Sequence, residues 1–172
     1  HSTQIDFVSP TLYDFHDNGS LRSEWLLNVN NRGNLTEFLS LCRTKNVSVH
    51  PLVGSLDGDR VRTLLENQTR VNNFLASTTQ MFETYDFEGI NIDFEGLDGD
   101  LRDEFLDFFG KLKENLPEGK ILSLDVPALT KNVGSGWGAW CDYEELGKIT
   151  DYFMIMTYDN HGGWSDPGPV AP

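Results

Sequence analysis

The 172-residue sequence predicts an α/β fold built on a parallel sheet. Three observations carry this. Short β-rich runs alternate with longer stretches of helical periodicity. The strand-like runs begin near residues 5, 47, 88, 121 and 152, which leaves room for a covering helix after each. No low-complexity segment or linker interrupts the pattern, so residues 1–172 read as one domain.

The elements follow in order. Ile5-Asp6-Phe7-Val8 opens a strand that runs towards Tyr13. Leu35, Phe38, Leu39 and Cys42 recur at i, i+3, i+4 and i+7, which predicts a helix from Asn34 to Lys45 with Asn34 as N-cap and Glu37 at the capping-box position. Val47 to Val53 is a second strand, stopped by Gly54. Asp59 is the expected cap of a long helical stretch to about Tyr85, with a break near Asn67. Phe87 to Phe94 is a third strand. Leu101 to Leu116 is a helix closed by Pro117 and Gly119. Ile121 to Val126 forms strand four, Asp142 caps a short helix, and Tyr152 to Thr157 is strand five.

Two parallel architectures fit this order, an open doubly wound sheet and a (β/α)8 barrel. The open sheet ordinarily carries a Gly-rich phosphate loop after its first strand, and no GxGxxG or GxxxxGK[ST] occurs here. A full barrel typically takes about 250 residues, more than this chain has.

Composition narrows the chemistry. A formal net charge of -14 repels phosphate backbones and anionic membrane surfaces, whereas a neutral glycan does not feel it. Cys42 and Cys141 form no zinc-binding pattern, and no cofactor or metal is expected. Four N-x-S/T sequons, at Asn18, Asn34, Asn46 and Asn67, point weakly to an extracellular setting.

The strongest chemical signal is Glu88-Gly89-Ile90-Asn91-Ile92-Asp93-Phe94-Glu95-Gly96. Side chains alternate along a strand, so Ile90, Ile92 and Phe94 share one face and Asn91, Asp93 and Glu95 the other. Three polar residues lining the inner face of a buried parallel strand are costly unless used. They sit towards its C-terminal end, where α/β active sites lie. The run is not an EF-hand: Arg102 occupies the twelfth position and a strand precedes it. Asp93 and Glu95 stand about 6.5–7 Å apart on one side of one strand. That spacing suits a single acid, Glu95, with the substrate's N-acetyl group as nucleophile and Asp93 stabilising it, better than two carboxylates flanking a bond.

These residues resemble the DxxDxDxE signature of family 18 glycoside hydrolases, the chitinase family. Glu88 and Asn91 replace its first two Asp residues, while Asp93 and Glu95 match. Phe153-Met154-Ile155-Met156-Thr157-Tyr158-Asp159 resembles the family's MxYD strand, and Leu122 to Ala128 its intervening strand. The likeness covers Ile5 to Pro172 and is greatest to bacterial spore-wall and peptidoglycan-processing members. It implies a (β/α)8 TIM barrel, here incomplete with about five strands, and retaining hydrolysis of β-1,4-linked N-acetylglucosamine glycans. By resemblance Glu95 is general acid and base, Asp93 supports the acetamido group, Tyr158 bonds its carbonyl, and Asp159 contacts the sugar. Asn91 is expected to give Asp93 a hydrogen-bonding partner that cannot ionise, which excludes proton sharing between two carboxylates at that step.

Trp137, Trp140 and Trp164 fall in Gly-rich loops on the same side; Trp137 or Trp164 is the expected sugar platform. His50 reads as a satisfied core histidine, Trp25 as packing, and Asp57-Gly58-Asp59 as a turn with an N-cap. Two other readings remain: a non-hydrolytic chitinase-like lectin, and an inactive part of the enzyme. Five open strands would need an oligomer or swapped partner to cover their edges. Substrate logic places the protein outside the cytoplasm, at the cell wall or spore.

Overall fold

The computed structural model describes residues 5–171, apart from 24–28, 132, 137, 159, 160, 162 and 164. Strands β1 (Phe7–Val8) and β2 (Thr11–Phe15) flank Pro10, and β4 (Ser48–Val49) and β5 (Leu52–Ser55) flank Pro51. Proline cannot donate to a ladder, yet both pairs run on as single strands. His50 N–H donates to the Val8 carbonyl and Leu52 N–H to that of Pro10, each at 2.9 Å. With β6 (Gly89–Phe94), β7 (Ile121–Pro127) and β8 (Tyr152–Met156) they make five parallel strands, each beside the next in sequence.

The sheet curls. The rings of Phe7, on the first strand, and Tyr152, on the fifth, stack with centroids 5.9 Å apart. Four flat strand steps would separate them by about 19 Å. The fold is therefore a partial (β/α)8 barrel, as the alternation and the family likeness lead one to expect.

Helices cover its outer face. These are α1 (Val29–Thr44), α2 (Gly58–Leu65), α3 (Gln68–Thr84), α4 (Arg102–Asn115) and α5 (Tyr143–Leu146), with a 3-10 turn (Gly99–Leu101) leading into α4. Ile90, Ile92, Phe94, Leu122, Leu124 and Val126 face the helices and are buried. Phe94 meets Phe74 of α3 and Phe108 of α4, with ring centroids at 6.2 and 5.9 Å. No described helix is long and apolar enough to cross a membrane.

Several boundaries differ from the expectation. α1 starts before Asn34, which lies inside the helix and does not cap it. Asp57, not Asp59, caps α2: its carboxylate accepts from Arg60 N–H at 3.1 Å, two residues earlier than the apolar pattern suggested. The break near Asn67 is real, because Asn67 caps α3 by accepting from Arg70 N–H at 3.2 Å. Asp142 caps α5 as expected. A short antiparallel strand β3 (Leu21–Arg22) pairs with β2 and was not anticipated. Its Arg22 grips Asp14 with two bonds, of 2.5 and 2.7 Å.

One close approach fixes the loops at the C-terminal end of the sheet. A Cβ added to Gly58 would lie 1.9 Å from the Gly96 carbonyl oxygen, and Gly96 itself holds φ +71. The loops after β5 and β6 touch through these glycines, and Glu95 N–H donates to the Ser55 carbonyl at 2.9 Å beside them. Gly58→Ala should cost about 1–3 kcal/mol through this backbone collision, read as a fall in urea-unfolding midpoint with unchanged slope. An unaltered midpoint would show that the loops part freely.

Candidate active site

Alternation along β6 sorts the motif as the sequence implies. Ile90, Ile92 and Phe94 enter the core, while Asn91, Asp93 and Glu95 take the opposite face. Asn91 is buried, and Asp93 and Glu95 are half-buried. Glu95 follows the last strand residue, at the C-terminal end of the sheet, and its side chain makes no hydrogen bond or ion pair with described residues. Asp93 lines an open cleft of about 560 Å³ together with Tyr13, Leu52, Gly54, Leu56 and Arg60. Gly54 pairs with Asp93 in the β5–β6 register, and a Cβ there would come within 2.9 Å of Leu52 Cδ2.

The partner of Asn91 is not Asp93. Its Nδ2 donates to Asp125 Oδ1 on β7 at 2.9 Å, which corrects the expected pairing. Asn91 pairs with Ser123 and Ile92 with Leu124, so the same register carries Asp93 alongside Asp125. Asp125 is therefore a site residue that the sequence reading passed over. Its signal was a single charge inside the apolar run Leu122-Ser123-Leu124-Asp125-Val126.

Burial, then the charges of Asp125 and Glu95, push the Asp93 carboxyl up from its ordinary 3.8 to about 6. Burial also raises Asp125, opposed by the hydrogen bond from Asn91. The consequence for stability has a definite sign. An acid whose folded pKa lies above its unfolded one adds no cost below the unfolded value and its full cost above the folded value. Asp93 should thus weaken the fold as pH rises from about 4 through 6. Asp93→Asn should raise the melting temperature at pH 7–8 and change it little at pH 4. Equal gains at both would assign the effect to packing.

The remaining candidates divide. Tyr158 lies beyond β8 and is 55% exposed. Thr157 N–H turns back on the Ile155 carbonyl at 3.0 Å, so strand alternation ends before it. Asp159, Trp137, Trp164 and Trp25 lie outside the described residues. Trp140 is buried with its ring 4.7 Å from Phe105, a core contact. Glu88 sits below the site, its carboxylate accepting from Val49 N–H at 2.7 Å and tying β4 to β6. His50 is buried against Phe7, with centroids 4.9 Å apart, but neither ring nitrogen has a hydrogen-bond partner among the described residues. It is a core residue and not a satisfied one. Burial lowers its pKa, with Glu88 and Asp151 opposing.

The geometry matches known proteins. A cortical fragment-lytic enzyme of Bacillus anthracis is 29% identical over 147 residues, 85% of this chain and 32% of that protein. The crystal structure of the Bacillus cereus spore cortex-lytic enzyme SleL superposes with a TM-score of 0.86 at 20% identity, covering 98% of this chain and 39% of that one. A chitinase from Chromobacterium violaceum superposes with a TM-score of 0.81 at 24% identity, over 99% of this chain and 54% of that one. The last two likenesses are of fold. The chain spans about a third of the length of the curated relatives it matches. Residues 2–172 match the family described as Glycosyl hydrolases family 18. On that match, joined to the partial barrel and to the carboxylates at the end of β6, the chain belongs to glycosyl hydrolases family 18.

Proposed function

We propose that this chain is the motif-bearing part of a retaining glycoside hydrolase domain. Its substrates are β-1,4-linked N-acetylglucosamine glycans of the chitin or peptidoglycan type. The observation that carries the reading is the placement of Asp93 and Glu95 on one face at the C-terminal end of β6, beside an open cleft.

Both carboxylates lie on the same side of one strand, so neither can attack from the far face of a sugar while the other protonates the leaving group. The nucleophile must then come with the substrate. Glu95 gives its proton to the glycosidic oxygen as the carbonyl oxygen of the N-acetyl group closes on the anomeric carbon. Asp93 orients that group and offsets the positive charge of the oxazolinium ring. Glu95, now ionised, takes a proton from water as the water opens the ring. Two inversions give net retention.

Tyr158 and Asp159 are assigned to sugar contacts on the family pattern, and Trp137 or Trp164 to stacking. The names of the relatives, cortex-lytic enzymes and a chitinase, support a wall glycan as substrate and a site of action outside the cytoplasm.

The test is hydrolysis of N-acetylglucosamine oligomers followed by proton NMR. New reducing ends should appear first as the β-anomer, and the fully deacetylated oligomer should not be cut. Initial α-anomer, or equal cleavage of the deacetylated oligomer, would overturn the mechanism.

A further inference from the structure

We propose that Arg60 reads a carboxylate carried on the sugar next to the one held at Asp93, which makes acidic, peptidoglycan-type strands better ligands of the cleft than neutral chitin. The inference rests on the glycosidase reading for what occupies the cleft. It adds a specificity residue that lies outside the β6 motif.

Arg60 sits in the first turn of α2, and its side chain is only 23% exposed. A guanidinium carries five N–H donors in a planar fork. None of them makes a hydrogen bond with a described residue, and Nε is buried. Its ion pair is with Asp14, Nη1 to Oδ2 at 3.7 Å, which is beyond hydrogen-bond reach. Asp14 is already engaged, because Arg22 holds both of its oxygens at 2.5 and 2.7 Å. Leaving a largely buried guanidinium without hydrogen bonds is costly. Arg62, two residues on, shows the contrast: it donates to Glu66 and twice to Asp100 at 2.9–3.2 Å.

What holds Arg60 is the ring of Phe15, whose centroid is 4.6 Å from Cζ. A ring face orients a guanidinium without using the N–H groups at its edge. The fork is thereby fixed in place while its donors are left to serve another group.

The cavities place that group. Arg60 lines the 560 Å³ cleft together with Asp93, and so does Asp14, which puts the Nη1 end on the cleft side. A second hollow of about 370 Å³ continues past Arg60 and Asp57 to His16, Asp17 and Arg70. The charges that raise Asp93 are those of Asp125 and Glu95, with no offset from Arg60. Arg60 therefore stands further along the cleft than the acetamido position, where an adjoining sugar would lie.

The charge balance selects an anion. Asp14 is neutralised by Arg22, and Asp57 is spent as the cap of α2, at the positive end of that helix. Arg60 keeps its charge with no partner at hydrogen-bond distance. A carboxylate accepts two parallel N–H bonds from such a fork, whereas a hydroxyl oxygen offers no matching pair. Chitin presents hydroxyls and amides only. A peptidoglycan-type strand presents a carboxylate on the lactyl ether of alternate sugars, or on a peptide joined through it.

The test is binding to the whole chain carrying Glu95→Gln, which keeps the saccharides intact, followed by amide-shift titration in NMR. The probes are a tetrasaccharide of alternating N-acetylglucosamine and N-acetylmuramic acid, its methyl ester, and the same tetrasaccharide with alanyl-glutamate joined through the lactyl carboxyls. The acid or the peptide form should bind about tenfold or more tightly than the ester, and the tighter of the two locates the carboxylate. In Arg60→Met, which keeps an apolar stem over Phe15, this preference should fall to near one. Arg60→Lys should keep only part of it, because an ammonium lacks the fork. If Arg60→Met does not fold, Arg60→Lys and the acid–ester comparison in the Arg60-bearing chain still decide. Equal binding of all three probes with Arg60 present overturns the inference, as does an acid preference that survives Arg60→Met. Either result leaves the glycosidase reading standing where N-acetylglucosamine oligomers are cut with retention. An acid preference lost in Arg60→Met, without hydrolysis of any oligomer by the unaltered chain, overturns that reading and keeps the role of Arg60.

Discussion

Glu95→Gln is expected to lower kcat/KM on N-acetylglucosamine oligomers by about 10²–10⁴-fold, the range typical of a lost general acid. Gln keeps the shape and removes the proton. The Glu95 side chain makes no hydrogen bond or ion pair with described residues, so the change breaks no contact of the fold and removes one of the charges that raise Asp93. The backbone bond from its N–H to the Ser55 carbonyl survives the change. The melting temperature should therefore stay within about 1 °C, and KM should move little.

The identity of the lost step can be read from the leaving group. An aryl glycoside whose phenol departs without protonation should recover much of the rate in Glu95→Gln, while the oligomer should not. Equal loss on both substrates would mean that Glu95 acts elsewhere than on the glycosidic oxygen. Unchanged turnover of the oligomer would remove Glu95 from the mechanism altogether.

The placement of Asn91, Asp93 and Glu95 was legible because it is local. Period-two alternation within six residues fixes which side chains share a face, whatever the strand packs against. The partnership of Asn91 with Asp125 was not legible, because it depends on the register between β6 and β7, set by residues 34 positions apart. Sequence spacing naturally assigned Asn91 to Asp93, its neighbour on the same face.

The strand order followed from βαβ alternation, but helix starts did not. Asp57 and Asp59 both have the chemistry of an N-cap, and the close approach of Gly58 to Gly96 is the local contact that sets where α2 begins. Strand β3 escaped notice because it has two residues and is held by a side-chain pair, Arg22 to Asp14, more than by any β-forming run. The burial of His50 is legible in the sequence, but its lack of a hydrogen-bond partner among the described residues is not, because that depends on what the rest of the fold brings to its ring.

Phe94→Ala is expected to be the most destabilising single change on β6, by about 3–5 kcal/mol. Phe94 is 1% exposed. Its ring meets Phe15 at 5.5 Å, Phe74 at 6.2 Å and Phe108 at 5.9 Å, so truncation opens a void where β2, α3 and α4 converge. Aromatic pairs add about 0.5–1.5 kcal/mol each beyond area burial, which places the change towards the upper end of that range. For a domain of this size the melting temperature should fall by roughly 6–20 °C. Phe94 also lies between Asp93 and Glu95 in the chain, with its side chain anchoring the opposite face. Phe94→Leu keeps most of the buried volume and should cost less than half as much. If the activity of Phe94→Leu fell as far as that of Phe94→Ala while its stability recovered, the aromatic ring would be required to aim Glu95 and not only to fill the core.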